Sequence, residues 1–125
     1  MENKLYKKNI DLGHEGEKQV AEYLKNLNYE IIAFNFSHRR VFGEIDIIVK
    51  KNEILAFVEV KTRSSNYVNI TDIITFKKKK SIIKTAEYFL FINKIHTSNY
   101  VIRFDVAYVN NFNIEYFENA FTKIS

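Results

Sequence analysis

Cysteine, proline and tryptophan are all absent from this chain of 125 residues. Without cysteine there is no disulfide, no thiolate nucleophile and no cysteine-ligated zinc, so any metal must be held by oxygen or histidine ligands. Glycine is scarce as well, with Gly13, Gly16 and Gly43 as its occurrences, and nothing resembles a flexible interdomain linker. We therefore expect one folded domain at residues 10–125, preceded by a short polar arm at residues 1–9.

Long apolar runs are also missing. No stretch approaches the roughly 20 residues that cross a bilayer, and no signal-peptide segment follows Met1, so we expect a cytoplasmic protein with no membrane partner. The charge is mildly basic, at +4 with 19 basic and 15 acidic residues. The basic residues cluster, which favours a polyanionic partner such as nucleic acid. They comprise the consecutive run Lys77–Lys80 and, beside the acidic motifs, Arg39, Arg40, Lys61 and Arg63.

Hydrophobic periodicity predicts an α/β domain with the element order αβββαββ. The predicted elements are a helix at about 13–27, strands at 29–36, 42–50 and 54–62, a helix that begins after the N-cap Thr75, and strands at 100–109 and 113–117. The core-facing helix residues are Val20, Ala21, Leu24 and Leu27, then Ile82, Ile83, Ala86, Phe89 and Leu90. We expect an antiparallel meander of three strands, extended by a helical crossover into a mixed sheet flanked by helices.

The third predicted strand carries Glu59 and Lys61 on the face that also bears Leu55 and Phe57. Because both faces are apolar, the strand should be central, where a carboxylate needs a cation or hydrogen-bond donors. If residues 51–54 form the connection to the preceding strand, Asp46 lies directly opposite Glu59, whereas a two-residue connection leaves the two diagonal. Either register keeps the carboxylates about 5 to 8 Å apart on one face, which suits Mg²⁺ or Mn²⁺ better than zinc.

Two further features have a functional and an ordinary interpretation. Glu17, on the core-facing stripe of the first helix, is a candidate third carboxylate, although the helix dipole alone favours acidic residues near a helix start. A lysine run is usually a solvated face. Here it directly follows Thr75, where the dipole disfavours cations, so a bound phosphate is the better explanation. Lys78 begins the core-facing stripe and should point toward the carboxylates.

Other chemistries have weaker support. The histidines are scattered, and no pair has the spacing of metal ligands. Several aromatic residues could stack on bases, although aromatics at helical spacing are more often core. These are Tyr67, Tyr88, Phe89 and Phe91.

The ordered motifs resemble the YraN family of small bacterial proteins, which is placed in the restriction-endonuclease-like, PD-(D/E)xK nuclease superfamily. The similarity covers about residues 10–121. It rests on Gly13-His14-Glu15-Gly16-Glu17, Ala21, Tyr23-Leu24, Asn35, Gly43-Glu44-Ile45-Asp46, Phe57-Val58-Glu59-Val60-Lys61-Thr62-Arg63, Thr75, Lys78, Arg103-Phe104-Asp105-Val106 and Asn119-Ala120-Phe121.

The resemblance implies a three-layer, restriction-endonuclease-like core and a Mg²⁺- or Mn²⁺-dependent deoxyribonuclease, similar to Holliday-junction resolvases that act as dimers on branched DNA. The sequence and the resemblance together give the candidate site residues their expected roles. The catalytic set is Asp46, Glu59 and Lys61; the metal ligands are Asp46, Glu59 and Glu17; the phosphate-binding residues are Lys78, Arg63, Arg40 and Lys79; and Glu44 is a partner around the site or an ion-pairing residue.

The chain departs from the family pattern in three places. Ile45 replaces the superfamily's namesake proline, the loop from Asn66 to Ile73 lacks the usual glycine and proline, and Lys79 stands where a glutamine is common. Two alternatives stay open: a nucleic-acid-binding module that keeps the nuclease fold without cleaving, and a basic structural protein whose charged cluster is a buried ion-pair network.

Overall fold

The structure is a computed structural model that describes residues 15–41, 43–63, 74–111 and 113–123. The predicted polar arm and the loop from Asn66 to Ile73 therefore lie outside the described residues. Within them, no helix is long and apolar enough to cross a membrane.

The element order agrees with the predicted αβββαββ pattern, with one short 3₁₀ helix, Thr97–Asn99, before the fourth strand. The elements are α1 Glu15–Asn26, β1 Glu30–Ser37, β2 Glu44–Lys51, β3 Ile54–Thr62, α2 Phe76–Ile92, β4 Val101–Asn110 and β5 Asn113–Phe121. Thr75 caps α2 as predicted, because its Oγ1 accepts a hydrogen bond of 3.1 Å from Lys78 N.

The five strands form one mixed sheet in the order β1-β2-β3-β4-β5. The first three are the expected antiparallel meander, β3 and β4 run parallel, and β5 returns antiparallel. Parallel neighbours need a crossover, which α2 provides. β3 therefore occupies the middle of the sheet, as its two apolar faces predicted.

The helices pack on opposite faces of the sheet, which gives three layers. The α1-side core contains Val20, Ala21, Leu24, Val49, Ala56, Val58, Ala107 and Val109 among its buried residues. The α2-side core contains Ile45, Leu55, Phe57, Ile82, Ala86, Phe89, Phe104 and Val106 among its own. The faces predicted for β3 are confirmed, and Glu59 follows Leu55 and Phe57 toward α2.

Two details differ from the prediction. α1 ends at Asn26, and Leu27, expected in the core, is 42% exposed. β5 extends to Phe121 rather than ending at residue 117, and its pairing with β4 shifts register between Phe104 and Val106. An irregular register breaks the alternation on which a strand boundary is predicted.

Candidate active site

The β2–β3 hairpin places Asp46 and Glu59 level with each other. Its last paired position is Ile47 opposite Val58, and the two acidic residues come next on their strands. The hairpin closes with the two-residue turn Asn52–Glu53. The prediction that a two-residue connection leaves the carboxylates diagonal is wrong for this hairpin, because the turn falls where it preserves the direct register.

Where the pairing of β2 with β3 ends, the side chain of Asp46 accepts a hydrogen bond from the backbone of β3. Val60 N donates a hydrogen bond of 2.8 Å to Asp46 Oδ2. Burial and the negative charge of Glu59 raise the pKa of Asp46 from 3.8 to about 8, although the Val60 hydrogen bond opposes the shift. The charges of Glu17 and Glu44 raise it further. Without a cation, the folded protein therefore holds Asp46 largely protonated at neutral pH.

Glu59 is the buried carboxylate of the pair, with 4% of its side chain exposed. Its Oε2 lies 3.4 Å from Lys61 Nζ and 3.9 Å from Lys78 Nζ. Its Oε1 is buried without a hydrogen-bond partner. A buried carboxylate oxygen without a donor is costly, and a cation is one of the groups that can offset that cost.

Asn35 links two further carboxylates beside the pair. Its Nδ2 donates to Glu17 Oε1 at 3.0 Å and to Glu44 Oε2 at 2.7 Å, while its Oδ1 is buried without a partner. Asn35 has a positive φ of 49°, a conformation that asparagine adopts more readily than most residues. From this position in β1, one side-chain amide reaches both carboxylates.

Two glycines allow the helices to approach this end of the sheet. A Cβ at Gly16 would lie 2.4 Å from Thr62 Oγ1, so the start of α1 rests directly on the end of β3. A Cβ at Gly43 would lie 2.4 Å from Ser81 Oγ and 2.5 Å from Thr85 Oγ1, so the start of β2 lies against α2. Close backbone approach explains glycine at both positions.

The donor set fits a hard divalent cation, because its ligands are carboxylate oxygens and Glu59 Oε1 has no other partner. In the part of the chain that the structure describes, no three Asp, Glu or His side chains form a ready-made metal cage. Asp46 and Glu59 are therefore the centre of the candidate site. Glu17 lies at its edge, where Asn35 holds one of its oxygens.

The predicted phosphate-binding residues are distributed around the site. Lys78 meets Glu59, as the helical stripe predicted. Arg40 lies beside α2, in a groove with Lys77 and Lys84. Arg63 is exposed at the end of β3, where its guanidinium donates to the Thr62 carbonyl at 2.8 Å. Lys79 is separate and lines a groove between α2 and the end of β5.

Ile45, the residue directly before Asp46, is 1% exposed and belongs to the α2-side core. A buried isoleucine at this position anchors β2 beneath α2, immediately before Asp46. Its apolar burial links the site to the packing of the helix.

A second buried charge network lies on β4 and has a structural role that the residue pattern alone did not assign. Arg103 donates to Asp105 at 2.9 Å and to Tyr29 Oη at 2.7 Å, while Tyr116 Oη donates to Asp105 at 2.6 Å. Burial alone would lower the pKa of Arg103, but these hydrogen bonds and the Asp105 charge raise it above its usual range. Asn119 N also donates to Asp105 at 2.9 Å, so the network holds β5 beside β4.

Sequence reasoning named Asn35 within the motif set without giving it a role. The available signal was a single polar residue inside the apolar segment Ile31–Phe36. A polar residue at such a position indicates a specific partner, and the structure shows two, Glu17 and Glu44.

Comparisons with known proteins agree on one family. The model of the uncharacterised protein family UPF0102 matches residues 16–109. A UPF0102 protein of Clostridium botulinum is 40% identical over 120 residues, which cover 90% of this chain and 95% of the relative. UPF0102 proteins of Clostridium perfringens and Thermodesulfovibrio yellowstonii are 44% and 39% identical, covering 83% and 90% of this chain and 83% and 96% of the respective relatives. The chain therefore belongs to the UPF0102 family.

Proposed function

We propose that this protein is a Mg²⁺- or Mn²⁺-dependent nuclease of the restriction-endonuclease-like type, which hydrolyses phosphodiester bonds in DNA. The observation that carries the proposal is buried Glu59, level with Asp46 and within 4 Å of the ammonium groups of Lys61 and Lys78. Carboxylates for a metal, next to cations for a phosphate, are the elements that hydrolysis of a phosphodiester requires.

Asp46 and Glu59 would hold the ion, with Glu17 as an additional ligand at the edge. When bound, a divalent ion supplies Lewis-acid chemistry, which activates water and neutralises charge on the phosphate. Glu44 and Asn35 support this arrangement, since Asn35 fixes Glu17 and Glu44 through its amide. Partners of this kind orient ligands and adjust metal affinity.

Lys61 and Lys78 approach Glu59 Oε2 from β3 and α2. Lys61 orients the attacking water or stabilises the negative charge that develops on the phosphate, and Lys78 holds a phosphate oxygen. Arg40 and Arg63 extend the cationic surface along the DNA backbone, and Lys79 contributes from the other side of α2. Such contacts give binding that weakens as the salt concentration rises.

The alternative is that the charged cluster is only a buried ion-pair network. In such a network the cations lower the pKa values of the carboxylates. Asp46 has the opposite property, because burial and Glu59 raise its pKa to about 8. The Arg103–Asp105 pair differs in its hydrogen bonds, since both oxygens of Asp105 accept from Arg103 and further donors come from Tyr116 and Asn119. A buried carboxyl whose pKa is raised by burial and by a neighbouring carboxylate supports a functional site at Asp46.

The test is cleavage of linear, flapped, single-stranded and four-way-junction DNA by the purified protein in Mg²⁺ or Mn²⁺. We expect cleavage by the parent and loss of it in Asp46→Asn and Lys61→Ala. Lys25→Ala, which removes an exposed lysine from the end of α1, is the matched control and should cleave like the parent. Equal cleavage by all four proteins would identify a contaminating nuclease.

Metal binding is tested separately by titration calorimetry with Mn²⁺. The parent should bind the ion, and Glu59→Gln should not. Glu53→Gln removes an exposed carboxylate from the turn at the other end of the hairpin, so it should bind like the parent. Metal binding without cleavage of any DNA would favour the non-cleaving module.

A further inference from the structure

One side of α2 presents a solvent-facing strip whose character changes along the helix. Its positions 77, 81, 84, 88 and 91 recur at intervals of three and four residues, so they share one side of the helix. The first half contains Lys77 and Lys84, and the second half contains Tyr88 and Phe91. From Lys77 to Phe91 the helix rises about 21 Å, at 1.5 Å per residue.

The basic half of the strip forms a groove with the segment that follows β1. This basic groove has a volume of about 460 Å³ and is lined by Arg40, Val41, Lys77, Lys80, Ser81 and Lys84. Four of these residues are cationic and none is acidic. Lys78 directly follows the groove residue Lys77 and lies 3.9 Å from Glu59. The basic groove therefore begins beside the candidate active site.

The aromatic half continues from the basic groove. The ring of His38 lies 4.7 Å from that of Tyr88, which lies 6.4 Å from that of Phe91. The three rings of His38, Tyr88 and Phe91 form an aromatic row. His38 Nδ1 accepts a hydrogen bond of 3.1 Å from Arg40 N, which connects this row to the basic groove. Phe91 is 77% exposed, whereas Phe89 is buried in the α2-side core.

The aromatic residues singled out in the sequence therefore differ in their exposure. Phe89 is core, Tyr88 and Phe91 are accessible to a ligand, and Tyr67 lies outside the described residues. An exposed phenylalanine is costly to hydrate, so a row of rings beside a cationic groove calls for a partner with both apolar faces and negative charge.

We propose that the basic groove and the aromatic row (His38, Tyr88 and Phe91) bind unpaired nucleotides of a DNA strand, with phosphates along the lysines and bases stacked on the rings. The inference rests on the proposed function for the strand's path toward Asp46 and Glu59. Unpaired nucleotides fit both halves, because every base has a π-face and every nucleotide carries a phosphate. A duplex hides its bases, and an apolar protein surface leaves the four cations of the groove unmatched.

The test is fluorescence anisotropy with a labelled oligothymidylate of about 12 nucleotides, a length within the usual range for a single-strand site, and with a blunt duplex. Both are measured in EDTA, so that neither metal binding nor cleavage contributes. Phe91→Ala and Tyr88→Leu should weaken single-strand binding about fivefold or more and leave duplex binding unchanged. Leu27→Ala removes an apolar side chain that is 42% exposed, next to the end of α1 on the opposite side of the sheet, and should bind like the parent.

Crosslinking with 5-iodouracil in the same oligonucleotide gives a second readout, and the modified peptide should contain Tyr88 or Phe91. Single-strand binding that is absent in the parent, or equal in the parent and both ring variants, would overturn the inference. So would a parent dimer that Phe91→Ala converts to a monomer, since the row would then be an interface between copies. Failure of the proposed function is distinguishable, because it removes metal-dependent cleavage while leaving these metal-free affinities in place.

Discussion

Replacement of Asp46 by asparagine should stabilise the metal-free protein while removing its proposed activity. The pKa of this carboxyl rises from 3.8 to about 8 on folding. A raised pKa means that the folded state binds the proton more tightly than the unfolded state. The stabilisation is therefore complete below pH 3.8 and is lost as the pH rises toward 8. Asparagine does not ionise, so the variant lacks this dependence.

The magnitude follows from the shift. Between pH 3.8 and pH 7 the parent loses stability over about 3 pH units at 1.36 kcal/mol per unit, or about 4 kcal/mol in total. Because Asp46 keeps part of its contact with water, we expect a net gain of about 2 to 4 kcal/mol for the variant at pH 7. For a chain of this size that raises Tm by roughly 6 °C or more.

The assay is thermal unfolding in EDTA across pH 5 to 8, an interval in which Tm of the variant should exceed that of the parent by a growing margin as pH rises. Glu53→Gln is the control, because it removes an exposed carboxylate from the hairpin turn. Added Mn²⁺ should raise Tm of the parent and not of Asp46→Asn. A variant no more stable than the parent at pH 7, or a margin independent of pH, would refute the reasoning.

The other predictions concern the supports of the site. Gly43→Ala places a methyl group against two hydroxyls of α2 and should lower the free energy of unfolding by about 1 to 3 kcal/mol in urea denaturation. Unchanged stability would mean that α2 shifts at no cost to accommodate the methyl group. Asn35→Ala releases Glu17 and should weaken Mn²⁺ binding about tenfold or more by calorimetry, whereas parental affinity would make Asn35 purely structural. Asp105→Asn removes the buried charged partner of Arg103 and leaves it the largely exposed Glu118, so it should cost about 3 kcal/mol or more in the same denaturation assay; a smaller loss would show that the network is not required for stability.

Local patterns predicted the frame that positions the site. The bounds of β3 agree with the alternation and length of its apolar run, and Thr75 caps α2 where a threonine precedes a helical stripe. The direct register of Asp46 and Glu59 was one of two alternatives, and the structure selects it. The elements depend on neighbours in the sequence, so periodicity is enough to constrain them. The register depends on where the turn falls, which turn length alone did not predict correctly.

Long-range geometry was beyond the reach of the same patterns. Asn35 meets Glu17 across 18 positions of the chain, and Arg103 meets Tyr29 across 74. Each contact depends on a backbone irregularity or on the meeting of separate strands, which no local period encodes. Of the aromatic row, helical spacing already placed Phe89 on the core-facing stripe and left Tyr88 and Phe91 off it. It did not show that His38, from the segment after β1, lies against Tyr88.

The hydrogen bond from Val60 to Asp46 makes one backbone amide a reporter of the site. An amide within a sheet usually donates to a carbonyl of the neighbouring strand. The Val60 amide donates instead to the side chain of Asp46, whose pKa is raised to about 8. The chemical shift and the hydrogen-exchange rate of the Val60 amide should therefore follow the protonation of Asp46 and its occupation by a cation. A single resonance in an NMR spectrum can thus monitor proton release, and with it the proposed metal binding, in a protein that has no tryptophan to serve as an optical probe.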